Sequence, residues 1–207
     1  MGIFIFASLS VLSYLGGSLV WAKIITRLYK KDISDFGTRN PGTANFAREF
    51  GAAGGAVVFF GDLLTSFSVF TVCLIVVKEL TSYGIAHQII IGCLIISGTF
   101  FPIFFKFKGG TGLTKCLGIS CAINPLGFLL IFPFILIVFY KTRNFAILGT
   151  ICIILVTLSS AIVNYEYHIF SSHYGYPDMD GFYTLIACGS LVFIKGMHQY
   201  KGQLFYA

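Results

Sequence analysis

Residues 104–118 read FFKFKGGTGLTKCLG, a short polar stretch with long apolar runs on both sides. It holds three lysines and gathers three glycines between them. Glycine lets backbone approach a ligand closely, and N–H groups that lead into a helix beside lysines favour an anion. We interpret the stretch as a phosphate site at the edge of a membrane. The same residues are equally typical of a plain cytoplasmic loop.

Composition places the chain in a membrane. Of its 207 residues, 57% are hydrophobic and 11% are charged, against about 25% charged in an average soluble domain. This length supplies about seven spans of ~20 residues, so we predict a single polytopic membrane domain over residues 1–207. The net charge of +6 is explained by membrane topology and anionic lipid. Membrane lipid is therefore an expected partner, and nucleic acid is not.

The apolar runs predict an all-α bundle of about seven transmembrane segments. Pro125 predicts a break between two of them. The approximate segments are 3–25, 52–77, 84–104, a shorter piece at 112–123, 125–140, 145–164 and 182–195.

Positive charge sets the predicted orientation of the bundle. With the N-terminus outside, all but one of the 14 Lys and Arg residues fall on the cytoplasmic side, and the exception is Lys78. The positive-inside rule then gives a cytoplasmic C-terminus. Segment 164–181, which contains acidic residues but no Lys or Arg, is predicted to lie outside.

A second polar stretch, DISDFGTRNPGTANFAREFG at residues 32–51, falls on the same predicted face. Its amide, hydroxyl and guanidinium groups suit a phosphate ester, since arginine binds phosphate through two parallel hydrogen bonds. The Asn40-Pro41-Gly42 run is also ordinary turn chemistry, so a simple connector is the alternative. Two glycine-rich loops on one face favour one shared site.

Asp62 stands inside the second apolar run, where a carboxylate is costly and normally faces a cavity or a partner. Thr65 and Ser66 share its helical face, and we expect them to solvate it locally. We interpret Asp62 as structural rather than catalytic. The six cysteines and four histidines show no metal-ligand spacing, so no metal is predicted.

Both loops resemble those of the PlsY family of bacterial acyl-phosphate:glycerol-3-phosphate acyltransferases. Residues 36–51, FGTRNPGTANFAREFG, resemble the family pattern GSxNxGATNxxRxxG. Residues 98–118, GTFFPIFFKFKGGTGLTKCLG, resemble GHxFPxFxxFKGGKGVATxxG. Gly17-Ser18 matches the family's early Gly-Ser, and Asp62 matches the Asp of its Asp-x-x-Lys. The resemblance covers nearly the whole chain.

The resemblance implies acyl transfer from acyl-phosphate to glycerol 3-phosphate, giving lysophosphatidic acid for phospholipid biosynthesis. It implies no cofactor, the bacterial inner membrane as location and a cytoplasmic active face. The FKGGTG loop, residues 107–112, would hold the phosphate of the donor. The stretch 32–51, called the first loop because it comes first in the chain, would hold the acceptor. The acyl chain would lie between helices. No catalytic residue is assigned. The implied substrate- and phosphate-binding residues are Ser18, Thr38, Asn40, Asn45, Arg48, Lys108, Gly109, Gly110, Thr111 and Gly112.

The chain also departs from the family pattern. Thr99 replaces its His, Thr111 replaces the second Lys of GGKG, and Thr65 replaces the Lys of Asp-x-x-Lys. The C-terminal His-x-x-Asn-x-x-Arg signature has no counterpart. Each lost charge-assisted hydrogen bond costs about 1.5–3 kcal/mol. The cations that offer themselves as substitutes are Lys106, Lys115, Arg39 and Lys201.

These departures leave alternatives to the enzyme. One is a catalytically impaired PlsY-like protein that binds lipid or serves as a subunit of a membrane complex. A small transporter is disfavoured, because Asp62 is the one charge well inside an apolar span and no inverted repeat is evident.

Overall fold

The structure, a computed structural model, describes residues 1–80, 84–142, 145–166 and 180–204. Within these ranges the chain forms eight α-helices and two short 3₁₀ turns, Ile33–Asp35 and Ile103–Phe105. The predicted outer loop at 164–181 lies largely outside the described residues, as does the side chain of Lys201. The α-helices are α1 (Gly2–Ser18), α2 (Trp21–Leu28), α3 (Thr43–Leu80), α4 (Ile85–Phe100), α5 (Leu113–Ile123), α6 (Pro125–Thr142), α7 (Phe145–Glu166) and α8 (Asp180–Leu204).

The helices are those of an integral membrane bundle, as predicted. Among the described residues, α3 and the run Ile85–Phe105 are each long and apolar enough to cross a membrane, and α1 with α2 meets that test as a bent pair. α5 has only 11 residues. At 1.5 Å per residue it is about 16 Å long, against a hydrocarbon core of about 30 Å. It therefore packs inside the bundle without spanning.

The first predicted span, 3–25, is wrong as a continuous helix. α1 and α2 meet at an angle of 54°, with Leu19 and Val20 between them. Side chains from other helices bond the backbone groups at this break. The Lys115 ammonium donates to the Leu19 carbonyl oxygen at 2.9 Å, and the Trp21 N–H donates to Asp62 Oδ1 at 3.4 Å. Because backbone groups within a membrane need protein partners, these tertiary bonds allow the break.

The second predicted span, 52–77, begins directly after a break in α3, and residues 43–50 of the polar loop form a separate helical segment before it. α3 bends sharply at Gly51, whose φ of 84° and ψ of 163° are not helical. Glycine tolerates this positive φ. A Cβ at Gly54 would lie 2.7 Å from the Phe46 ring, so the chain folds back on itself at the bend.

Glycines bring the helices that carry the site into close contact. A Cβ added at Gly17 of α1 would overlap the Ile95 carbonyl of α4. One added at Gly118 of α5 would overlap the Leu63 carbonyl of α3. Small residues let helix backbones approach this closely inside a membrane. α5 is therefore held tightly against α3, and α1 against α4.

The predicted break before Pro125 is confirmed, since α5 ends at Ile123 and α6 begins at the proline. Asn124 lies between them, and its Oδ1 accepts from the Gly127 N–H at 2.8 Å. Its Nδ2 donates to a serine hydroxyl of α7, Ser160, at 3.1 Å. One amide therefore caps α6 and ties α7 to the end of α5.

Candidate active site

A small polar cavity lies where the first turns of α3 and α5 converge. Its volume is about 80 Å³. Residues from both polar loops line it, together with one side chain each from the middle of α3 and the end of α4. The lining consists of residues 40–44, Asp62, Thr99 and residues 110–115.

The start of α5 gives the cavity its positive character. Gly112 is the N-cap in a left-handed conformation, with φ 74° and ψ 9°. The next N–H groups, from Leu113 to Lys115, belong to the first turn and have no acceptor within the helix. Thr114 Oγ1 lies 3.2 Å from Thr43 Oγ1, which joins this turn to the first turn of α3. Two helix N-termini thus meet at one cavity, an arrangement that favours an anion.

Asn40 contributes an unsatisfied polar atom to the cavity. Its Oδ1 is buried and has no hydrogen-bond partner among the described residues. A Cβ added at Gly110 would lie 2.9 Å from this oxygen, so a larger residue there would displace the Asn40 amide. Leaving such a group unpaired costs about 1–3 kcal/mol. A ligand that donates a hydrogen bond removes this cost, and the opposite amide orientation places the NH₂ donors there instead.

A buried ion pair borders the cavity. Lys115 Nζ lies 3.2 Å from Asp62 Oδ1, and the two side chains are 1% and 8% exposed. The Trp21 N–H donates to the same carboxylate oxygen. The pair joins the first turn of α5 to the middle of α3. Truncating one partner of such a pair leaves an uncompensated buried charge, which costs about 3–5 kcal/mol.

Thr65 and Ser66 do not solvate the Asp62 carboxylate, which corrects our expectation. The Thr65 hydroxyl donates to the Gly61 carbonyl oxygen at 2.7 Å. The Ser66 hydroxyl donates to the backbone carbonyl oxygen of Asp62 at 3.0 Å. Hydroxyls within a helix reach the carbonyl four residues earlier more easily than a neighbouring side chain. The charge of Asp62 is balanced by Lys115 instead.

Gly109 and Gly110 hold the loop against the end of α4. A Cβ at Gly109 would overlap the Thr99 carbonyl oxygen and lie 2.6 Å from Pro102 Cδ. The Gly110 N–H donates to the same carbonyl oxygen at 3.2 Å. The Thr99 hydroxyl donates to the Gly17 carbonyl oxygen at 3.1 Å. The first two glycines of the loop therefore serve close packing, and the N–H groups of the first turn of α5 come after them.

Four of the ten predicted site residues line the cavity, and six lie outside its lining: Ser18, Thr38, Asn45, Arg48, Lys108 and Gly109. Ser18 is buried away from the cavity, and its hydroxyl donates to the Tyr14 carbonyl oxygen. The Asn45 amide accepts from the Thr38 N–H at 2.9 Å and donates to the Phe36 carbonyl oxygen at 3.0 Å, so it shapes the first loop. Gly109 supports the loop from behind, and Arg48 and Lys108 are exposed outside the cavity lining. The predicted residues that line the cavity are Asn40, Gly110, Thr111 and Gly112.

A second ion pair fastens the first loop to α2. Lys23 Nζ lies 3.3 Å from Asp32 Oδ1, with the lysine side chain buried and the carboxylate 48% exposed. Partial burial raises the pKa of the Asp32 carboxyl, but the Ser34 N–H and the charge of Lys23 outweigh it. The pKa of Asp32 therefore lies below its ordinary value.

An apolar groove of about 500 Å³ runs between α7 and α8. Leu113 lines both this groove and the polar cavity, so the two spaces are neighbours at the start of α5. Volumes of 300–1,000 Å³ are typical of sites that bury a small apolar ligand. Residues central to the groove are Ile153 and Thr157 of α7 and Leu185, Gly189 and Val192 of α8.

The sequence patterns did not reveal that Lys115 pairs with Asp62, nor that a groove lies between α7 and α8. The available signal was a lysine in the short apolar piece 112–123, opposite in charge to Asp62 in another apolar run. Charges inside membrane segments usually pair with one another. The sequence alone does not bring those two segments together.

Several known proteins are similar to this chain in sequence. The family model for glycerol-3-phosphate acyltransferase matches residues 7–201. A glycerol-3-phosphate acyltransferase of Wolbachia sp. subsp. Brugia malayi is 30% identical over 186 residues, which cover 89% of this chain and 87% of the relative. The Mycoplasma mobile protein of the same name is 35% identical over 117 residues. In that match the chain spans about half of the relative, 49% of its length.

Solved structures extend the likeness to the fold. A crystal structure of PlsY, an integral membrane glycerol 3-phosphate acyltransferase, in its glycerol 3-phosphate form has a TM-score of 0.75 and 27% identity, and the match covers 97% of this chain and 92% of that one. Its lysophosphatidic acid form matches over the same shares with a TM-score of 0.72. The chain belongs to the PlsY family of glycerol-3-phosphate acyltransferases.

Proposed function

We propose that the chain transfers an acyl group from acyl-phosphate to glycerol 3-phosphate, forming lysophosphatidic acid and inorganic phosphate in phospholipid biosynthesis. The observation that carries the proposal is a polar cavity at two helix N-termini beside an apolar groove, with Leu113 in the lining of both. An acyl-phosphate has the same two parts, an anionic head and an apolar chain. The names of the relatives, and the glycerol 3-phosphate and lysophosphatidic acid forms of PlsY, support the acceptor and the product.

The geometry suggests how each part of the donor binds. Its acyl chain occupies the groove between α7 and α8, and its phosphate lies against the N–H groups that begin α5. The acyl carbon then lies beside Leu113, at the junction of the two spaces. The acceptor hydroxyl oxygen attacks this carbon, the bond from carbon to the phosphate oxygen breaks, and the hydroxyl proton leaves with the phosphate. Catalysis by this route rests on positioning and on backbone dipoles that stabilise developing charge.

Asn40 and the exposed cations have roles that complement this arrangement. The unpartnered Asn40 Oδ1 is placed to accept a hydrogen bond from the acceptor hydroxyl or a protonated phosphate oxygen. Arg48 and Lys108, exposed outside the cavity, attract the two anionic substrates to its mouth. The distribution of Lys and Arg supports a cytoplasmic active face in the bacterial inner membrane.

The test is acyl transfer by the purified protein in detergent or lipid, with palmitoyl-phosphate and radiolabelled glycerol 3-phosphate. Labelled lysophosphatidic acid, with equimolar phosphate release, is expected. Palmitoyl-coenzyme A in place of palmitoyl-phosphate is expected to give none. A monodisperse protein without product, beside an active PlsY control, would contradict the proposal.

The second candidate is a catalytically impaired relative that binds lipid or serves in a membrane complex. Thr99 favours it, because a residue that is His in the family pattern is here a threonine whose hydroxyl donates to the Gly17 carbonyl oxygen. This candidate predicts that palmitoyl-phosphate raises the melting temperature of the protein while no lysophosphatidic acid forms. Turnover in the acyl-transfer assay excludes it.

A further inference from the structure

The ion pair beside the cavity has spare hydrogen-bonding capacity. Two of the three N–H donors of Lys115 are accounted for, one by Asp62 Oδ1 at 3.2 Å and one by the Leu19 carbonyl oxygen at 2.9 Å. The third has no acceptor among the residues that the structure describes. Lys115 and Asp62 both line the cavity. A ligand oxygen in the cavity is the natural acceptor for a donor that burial makes costly to leave unpaired.

Charge balance gives the pair a second effect. The cavity lies against the Asp62 carboxylate, and an uncompensated negative charge there would repel a phosphate. The ammonium of Lys115 cancels that charge. Lys115 also belongs to the first turn of α5, so its bond to Asp62 fixes that turn, and its N–H groups, against α3.

We propose that Lys115, paired with Asp62, is a positioning residue of the phosphate cavity: it sets the charge beside the cavity, orients the start of α5 and offers its third N–H to the phosphate. The inference rests on the proposed function, whose donor phosphate occupies this cavity. It also accounts for two departures from the family pattern. Thr65 stands where that pattern has a lysine, and Lys115 stands where it has a threonine, so the cation that neighbours Asp62 comes from α5 instead of α3.

The alternative is that the pair serves the fold alone, since it also bonds the broken backbone between α1 and α2. The deciding variant is Asp62→Asn with Lys115→Met, which removes both charges together and leaves neither one buried without a partner. We expect a folded protein with a melting temperature several degrees below the wild type, because the Leu19 carbonyl oxygen loses its donor. The KM for palmitoyl-phosphate rises at least about tenfold, and the KM for glycerol 3-phosphate stays within about twofold. A folded variant with both KM values unchanged overturns the inference.

A relocated pair, Thr65→Lys with Lys115→Thr, provides the second variant. It returns the lysine to the helix that carries Asp62, so the charge of Asp62 stays balanced while the bond between α5 and α3 is lost. The KM for palmitoyl-phosphate is expected to be at least about tenfold above that of the wild type. A folded relocated pair with the wild-type KM for palmitoyl-phosphate overturns the inference, because the ion pair would then act through its charge balance alone.

The wild-type protein supplies a measurement that depends on no variant. Inorganic phosphate is expected to raise its melting temperature relative to chloride at matched ionic strength. The variant with both Asp62→Asn and Lys115→Met, called the neutral pair, is expected to lose this shift. Absence of the shift in the wild type overturns the inference. A shift in the wild type that the neutral pair loses, together with no lysophosphatidic acid, would contradict the proposed function while the role of Lys115 stands.

Discussion

At the scale of single residues, the first glycines of the FKGGTG loop pack against α4, and the N–H groups proposed to bind phosphate come after them. Gly109 has no room for a side chain, because its Cβ would overlap the Thr99 carbonyl oxygen. Gly109→Ala is therefore expected to destabilise the loop by about 1–3 kcal/mol and to lower acyl transfer at least about tenfold. Gly196→Ala is the matched control, since nothing lies within 4 Å of that Cβ. Equal melting temperatures and activities for both variants would contradict the packing role.

At the residue scale, Asp32 makes the stability of the fold depend on pH. Its pKa is lowered in the folded protein, so its ionised form stabilises the fold above the ordinary value of about 3.9, and this contribution is lost as the pH falls through the lower native pKa. Because the carboxylate is half exposed, we expect Asp32→Asn to cost only about 0.5 kcal/mol at pH 7. Melting curves should show that difference at pH 7 and a smaller one at pH 3. A difference independent of pH would refute this assignment.

At the scale of helices, most apolar runs were predictable and the exceptions have physical causes. Hydropathy alone located α4, α6 and α7 to within a few residues. It missed the break between α1 and α2, because Leu19 and Val20 carry no turn signal. The partners that permit the break, Lys115 and Asp62, are distant in sequence. The place of Lys115 beside Asp62 in the cavity lining was missed for the same reason, because a cavity depends on which segments of the chain lie together.

The contact between α1 and α4 yields a prediction at this scale. A Cβ at Gly98 would overlap the Tyr14 carbonyl and lie 3.0 Å from the Ser18 nitrogen. Gly98→Ala must separate the two helices, and we expect a loss of about 1–3 kcal/mol in the free energy of unfolding. Ser8→Ala is the control, because that hydroxyl is exposed and bonds only within α1. Detergent melting curves that rank the two variants equally would contradict the close packing.

At the scale of the whole molecule, we propose that the groove and the cavity, which share Leu113, serve together as one site for an amphiphile. Gly189 lies in the groove, and its Cβ would contact Ile153 at 3.4 Å, so a larger side chain must project into the space. Gly189→Leu is expected to lower kcat/KM for palmitoyl-phosphate at least about tenfold relative to octanoyl-phosphate. Tyr183→Leu, exposed on the same helix outside the groove, should leave that ratio unchanged. An unchanged ratio in Gly189→Leu would place the acyl chain elsewhere.

The central claim is that the cavity at the N-termini of α3 and α5 binds the donor phosphate, and Asn40→Asp tests it most directly. This nearly isosteric change adds a negative charge to the lining of the 80 Å³ cavity. We predict a KM for palmitoyl-phosphate raised at least about tenfold, corresponding to about 1.4 kcal/mol, in a folded protein with a lower melting temperature, because the new carboxylate is buried without a partner. Ser34→Asp, in the same loop but outside the cavity lining, controls for charge alone. An Asn40→Asp protein with the wild-type KM for palmitoyl-phosphate would contradict the claim.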